Sequence, residues 1–225
     1  PEFHRNGPEK MYMNNTEPVE IDEYRLELEN RIRNLLWTVS GDYQLDMKPD
    51  VSLFLRSKAI ALYDGIKQGA LARYYDKDML GLYLVKKIFL QAGENELTFV
   101  AQLCIEEAIG DKICEERPGI RDMQRQCMED ILEQEFDILP DLRDIPGRLK
   151  VAVLRRLNNG EWHVEKKLQP FMELIERAGN STDTLELIRV IDELYNRLMD
   201  PNFESMHGTL EQVLAVTMED LTEYS

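Results

Sequence analysis

The sequence predicts an all-α fold: a single compact bundle of roughly eight to ten helices, arranged as at most two subdomains. Three observations predict it. Apolar residues recur at spacings of three and four along most of the chain. Turn-forming pairs such as Gly93-Glu94, Pro118-Gly119, Asn158-Asn159-Gly160 and Gly179-Asn180 divide the sequence into pieces of helical length. The alternation expected of a half-buried strand is brief and confined to residues 43–48.

Residues 1–17 are polar and read as a disordered leader, whose Pro1-Glu2-Phe3 resembles the scar of a fusion-expression vector. Pro18 suits the first turn of a helix whose stripe is Ile21, Tyr24, Leu28, Ile32, Leu35 and Leu36, and which Ser40-Gly41-Asp42 ends. Residues 43–48 form a short extended link. Two helices at 49–73 and 77–92 make a central pair on which the others pack, because Leu53, Ile60, Leu62, Ile66, Leu71, Leu80, Leu84, Ile88 and Leu90 leave little polar surface there. Gly65, Gly69 and Gly81 let neighbouring backbones approach closely.

A helix over 96–117 follows through Leu97, Val100, Leu103, Cys104, Ala108 and Ile113, and another over 120–136 through Met123, Cys127, Ile131 and Leu132. The loop at 137–147, with its two prolines, is the candidate boundary between a helical core (18–137) and a C-terminal helical subdomain packed on it (138–225). Residues 148–157 could be a strand or a helix by composition; length and flanking context favour a helix. Residues 162–177 form the next helix, bent or split at Pro170. Ser181 or Thr182 caps its successor, with the stripe Leu185, Ile188, Ile191, Leu194, Tyr195 and Leu198. A last amphipathic helix over 208–224 carries Leu210, Val213, Leu214, Thr217 and Leu221. No repeat of solenoid length stands out.

Formal net charge is −16, which argues against non-specific binding to nucleic acid or to anionic lipid. No apolar run reaches the length of about 18 residues that a transmembrane helix needs. Cys104, Cys114 and Cys127 form an odd set without a CxxC pair, as expected of buried thiols in a reducing, cytoplasmic setting.

Reactive constellations are scarce. Glu204 and His207 have the Glu-x-x-His spacing of a di-metal bundle, but a second copy is missing from the sequence and this one lies between Pro201 and Gly208. His163 has no nucleophile nominated beside it. The spaced glycines Gly65 and Gly69 sit within a helical pattern, where close packing is the better account than a phosphate loop. No cofactor and no metal ligand set is called. An acidic run from Glu106 to Asp137 includes Glu107, Asp111 and Glu129, and a basic cluster follows: Arg143, Arg148, Lys150, Arg155, Arg156, Lys166 and Lys167. This contrast allows two readings, intramolecular pairing of the two groups or a docking patch for an acidic partner made by Arg148, Arg155, Arg156, Lys166 and Lys167.

The phrases LLWTVSGDYQLDMKPDV, KAIALYDGIKQGALARYYDKDMLGLYLVKKI, AQLCIEEAIGDKI, DTLELIRVIDELYN and HGTLEQVLAVTMEDLTEY resemble the N-terminal helical region of clostridial von Willebrand factor A-domain proteins labelled nitric oxide reductase activation or cobaltochelatase-subunit-like. The resemblance covers residues 24–224. It implies that the chain is the helical leader of a longer protein, because the DxSxS motif of the A domain is not present. It also implies a partner, a MoxR-type AAA+ ATPase, in an activation or metal-insertion system. No site residues carry over. The expected function is therefore a non-enzymatic helical protein-interaction domain. The alternatives are a helical enzyme using buried carboxylates with a metal, where two or more of Glu106, Glu107, Asp111, Glu129 and Glu204 converge with His163 or His207, and a homo-oligomeric structural protein.

Overall fold

A computed structural model describes residues 17–46, 49–91, 94–135, 145–162 and 165–199. Within them the chain forms eight α-helices and no strand: α1 (Glu17–Ser40), α2 (Lys58–Tyr74), α3 (Lys77–Gln91), α4 (Glu94–Glu116), α5 (Arg121–Glu135), α6 (Ile145–Asn159), α7 (Gln169–Asn180) and α8 (Thr184–Met199). The expected all-α bundle is what the chain forms. The leader at 1–16 and the helix expected over 208–224 lie outside the described residues.

α1 turns Leu28, Ile32, Leu36 and Val39 inward onto α2. The two helices touch along a seam set by glycine. A Cβ on Gly65 would come within 2.7 Å of the Ile32 carbonyl oxygen, and one on Gly69 within 2.6 Å of the Leu36 carbonyl oxygen. Only a residue without a side chain lets the backbones lie this close. Gly81 was expected to do the same and does not, since nothing lies within 4 Å of its added Cβ. α1 stops at Gly41, whose φ of 74° is the left-handed value that glycine adopts without strain, and its N–H donates to the Trp37 carbonyl at 2.9 Å.

Three local readings change. The link after α1 forms a turn rather than an extended strand, with the Trp37 Nε1–H donating to the Leu45 carbonyl at 3.1 Å. The helix expected from residue 49 is instead a 3-10 turn (Val51–Leu55) followed by α2, because Ser57 is extended and its hydroxyl accepts from the N–H groups of Ala59 and Ile60. That same hydroxyl bonds Asp130, so the cap also ties α2 to α5. The helix expected over 162–177 divides ahead of its proline: a short 3-10 turn (Lys166–Leu168) precedes α7, which carries Pro170 in its first turn.

The core is continuous from Val39 to Tyr195. Its middle is α4, packed against α2, α3, α6, α7 and α8. Leu97, Val100, Ala101, Leu103, Cys104, Ala108, Ile109 and Ile113 are buried around much of its circumference. The central role expected of the 49–92 pair therefore divides. α2 is buried along its length, whereas α3 packs on α4 and α8 by one face and exposes Val85 and Phe89 on the other.

Gly69→Ala should lower stability by about 1–3 kcal/mol, the usual range for overpacking. Gly81→Ala, in open space on α3, should be neutral or stabilising by up to about 1 kcal/mol. Urea unfolding of the two variants checks this; equal effects would show that the α1–α2 seam does not need its glycines.

Candidate functional site

Glu106, Glu107 and Asp111 leave α4 in two directions, the first toward α2 and the other two toward α6. Glu106 turns toward α2, where Lys67 Nζ lies 2.6 Å from its Oε1. They line a cleft of about 460 Å³ between α2, α4 and α6, whose wall also holds Asp64, Leu71, Phe99 and Val153. Burial opposes the Lys67 charge, but Glu106 beside it raises the amine above its ordinary range. Burial raises the Asp64 carboxyl, only partly countered by Lys67. Lys67 is thus held as an ammonium, and Asp64 is the group whose protonation the cleft favours. Glu106 Oε2 is buried with no hydrogen-bond partner.

Glu107, the next residue, turns toward α6. Arg156 grips it with Nη2 at 2.8 Å and Nε at 3.0 Å, and reaches Asp111 with Nη1 at 2.5 Å. Arg121 closes the group on Asp111 at 3.1 Å, and the Trp162 ring lies 5.3 Å from the guanidinium carbon. Burial pushes the Glu107 carboxyl up, to about 7, against the pull of Arg156. Asp111 is also penalised by burial, yet the hydrogen bonds and charges of Arg156 and Arg121 hold it below the ordinary carboxylate range.

A third buried assembly joins α3 to α8. Lys87, only 3% exposed, places Nζ 2.5 Å from Asp192 Oδ1, which also accepts from the Tyr83 hydroxyl at 2.9 Å. Asn196 donates to Asp192 Oδ2 at 3.1 Å, and the Tyr195 ring lies 5.8 Å from Lys87 Nζ. Elsewhere Gln124 donates to the Tyr63 hydroxyl at 3.0 Å and to the Gly110 carbonyl at 2.9 Å, while its carbonyl accepts from Cys114 Sγ. All three cysteines are buried and unpaired, and burial raises each thiol, Cys127 to about 12, so none is a ready nucleophile.

The proposed docking residues part company. Arg155, Lys166 and Lys167 are exposed. Arg148 is partly exposed and pairs with Glu165, next to Lys166. Arg156 is a correction: at 9% exposure it faces inward and is engaged by Glu107 and Asp111, so it presents no charge to a partner. Arg148 and Arg155 are seven residues apart, which is two helical turns, and share one side of α6.

The carboxylates of the enzymatic alternative do not gather either. Glu106 faces Lys67, Glu107 and Asp111 face Arg156, and Glu129 is exposed. Among the described residues no three of His, Cys, Asp and Glu lie together so as to hold a metal ion. His163, Glu204 and His207 lie outside the described residues. No described helix is long and apolar enough to cross a membrane.

Lys67, Lys87 and Asp192 belong to no motif in the sequence. A signal was present: Lys87 falls four residues after buried Tyr83, and Asp192 four after buried Ile188. An ionised residue on the apolar side of a helix announces a buried pair. Comparison with protein-family models, curated proteins and solved structures finds no match to this chain.

Glu107 carries the testable consequence. Its folded-state pKa is raised, from about 4.5 to about 7, so the folded chain holds the extra proton between those values. The stability it contributes is therefore full below pH 4.5 and is lost as pH rises toward 7. The stability difference between wild type and Glu107→Gln, measured by urea unfolding across that range, should shrink as pH rises. A pH-independent difference would refute the assignment.

Proposed function

We propose that this chain is a non-enzymatic helical protein-interaction domain that receives an acidic partner surface on α6 and the turn before α7. The observation that carries the reading is the division of its cations. Strongly buried Lys87 and Arg156 are each spent on carboxylates within the bundle, whereas Arg155, Lys166 and Lys167 stand exposed in a chain of net charge −16. A local basic strip on an acidic protein is a docking device that selects for acidic surfaces. Arg148, held by Glu165, orders the edge of the strip and adds little free charge.

The resemblance to the helical region of von Willebrand factor A-domain proteins supports naming the partner as a MoxR-type AAA+ ATPase, with the chain acting as an adaptor in an activation or metal-insertion system. In that role the bundle supplies a rigid shape and a charged face, and the work of remodelling belongs to the ATPase.

The test is binding to a MoxR-type ATPase by the wild type and by the triple variant Arg155→Glu/Lys166→Glu/Lys167→Glu. All three side chains are exposed, so the variant keeps the fold. We expect its affinity to fall by roughly tenfold or more, with a weaker salt dependence. Unchanged affinity would remove the strip from the interface; absence of binding by wild type would remove the ATPase.

A further inference from the structure

We propose that the cleft between α2, α4 and α6 binds a small amine, whose ammonium meets Asp64 beside the Lys67–Glu106 pair and whose apolar body lies on Leu103, Val153 and Leu154. The cleft holds about 460 Å³. That is about three times the volume of a core cavity that takes up benzene, and within the range of sites for small molecules.

Three helices present matching stripes to it. α2 gives Asp64, Lys67, Gln68 and Leu71, α4 gives Phe99, Gln102, Leu103 and Glu106, and α6 gives Lys150, Val153 and Leu154. Each set follows the three-and-four spacing of one helix face. α2 and α6 both pack on α4, and the cleft opens between them. Leu103, Val153 and Leu154, with Ile60 and Ile131, are buried and form its apolar inner surface. Asp64, Lys67, Gln68 and Glu106 are half-buried and form a polar band nearer the solvent.

That band is short of positive charge. Lys67 Nζ lies 2.6 Å from Glu106 Oε1, while Glu106 Oε2 is buried without a hydrogen-bond donor. One turn before Lys67, Asp64 brings a second carboxylate to the same cleft. One ammonium thus serves two carboxylates, and burial raises the Asp64 carboxyl in spite of it. Asp50 also lines the cleft and accepts from the Ser52 N–H. Arg56 and Lys150 line it too, and both are already engaged. A purely structural bridge between α2 and α4 would need neither Asp64 nor a cavity beside it.

A ligand ammonium supplies the missing charge. Its N–H donors suit Asp64 and Glu106 together, because the terminal torsion of a glutamate is broad and lets Oε2 turn toward the cleft. Hydrogen bonds of this charge-assisted kind are about twice as strong as neutral ones. A carboxylate ligand would instead face Asp64 and Glu106 with Lys67 already taken. The ligand needs none of the strip residues Arg155, Lys166 and Lys167, which do not line the cleft.

The experiment is titration of the 225-residue chain with hexylamine, followed by the methyl resonances of Leu103, Val153 and Leu154, with hexanol and hexanoate as controls of the same length. Hexylamine should saturate with a Kd on the order of 1 mM and shift those methyls. Both controls should bind roughly tenfold more weakly or worse, since neither offers a cation. Butylamine, two methylenes shorter, should also lose roughly tenfold. Asp64→Asn, nearly isosteric, should reduce hexylamine to the level of hexanol. That variant separates the cleft from the diffuse attraction of any amine to a chain of net charge −16, and the comparison of ligands on the wild-type chain needs no variant. Absence of saturation, hexanol or hexanoate binding as tightly as hexylamine, binding indifferent to Asp64→Asn, or shifts confined to methyls outside the cleft would each overturn the proposal.

Discussion

A carboxylate removed from water must meet a cation, and in this bundle that demand decides which helix lies beside which. α4 carries Glu106 and Glu107 at successive positions, and successive positions on a helix point about 100° apart. One reaches Lys67 on α2, the other Arg156 on α6. Asp192 on α8 fixes Lys87 on α3 in the same way. Such pairs add little net stability, since the cost of desolvation offsets most of the attraction. Their effect is to penalise every alternative packing, because a helix rotated by one residue would strand a charge in an apolar interior.

The α1–α2 contact works by a different rule. Neither helix offers the other a buried charge; they meet through Gly65 and Gly69 against the backbone of Ile32 and Leu36. Dispersion over a close backbone approach replaces ionic specificity. The N-terminal helix is thus located by shape and the central ones by charge. Gln124 mediates between the two regimes: its amide bridges Tyr63 on α2 and Gly110 on α4, where a side chain on Gly110 would strike Leu157.

Most helices were legible because their stripes are long and their breaks are strong. Gly41 and Gly160, both with positive φ, end α1 and α6 where the sequence places a stop. The start of α2 was not legible from periodicity, since Leu53 continues the apolar spacing while Ser57 interrupts the backbone; capping outranks pattern at a helix end. The apolar content of α3 is high all round, which suggests a central helix, but composition does not say which side finds a neighbour. Arg156 illustrates the converse. Counted within a basic cluster it looks like surface, but it lies between Val153 and Leu157 on a helix whose residues 151–154 are all buried. Pairing of the acidic run with the basic cluster is one of the two readings the sequence allows, and Arg156 follows it, with its counter-charge supplied by Glu107 and Asp111 of α4.

On the function proposed above, the distribution of charge would also shape how an acidic partner is met. At physiological ionic strength the screening length is about 8 Å, so an acidic surface approaching from afar feels the excess negative charge of the chain before it feels the strip at α6. Attraction begins only when Arg155, Lys166 and Lys167 come within contact range. Encounter is then disfavoured and contact favoured, the opposite of long-range steering. Added salt weakens both terms, but it weakens the distant repulsion first. An interaction built this way gains selectivity from the repulsion: a partner that is merely acidic is turned away, and only one whose acidic residues match the strip in shape recovers at contact what it lost on approach.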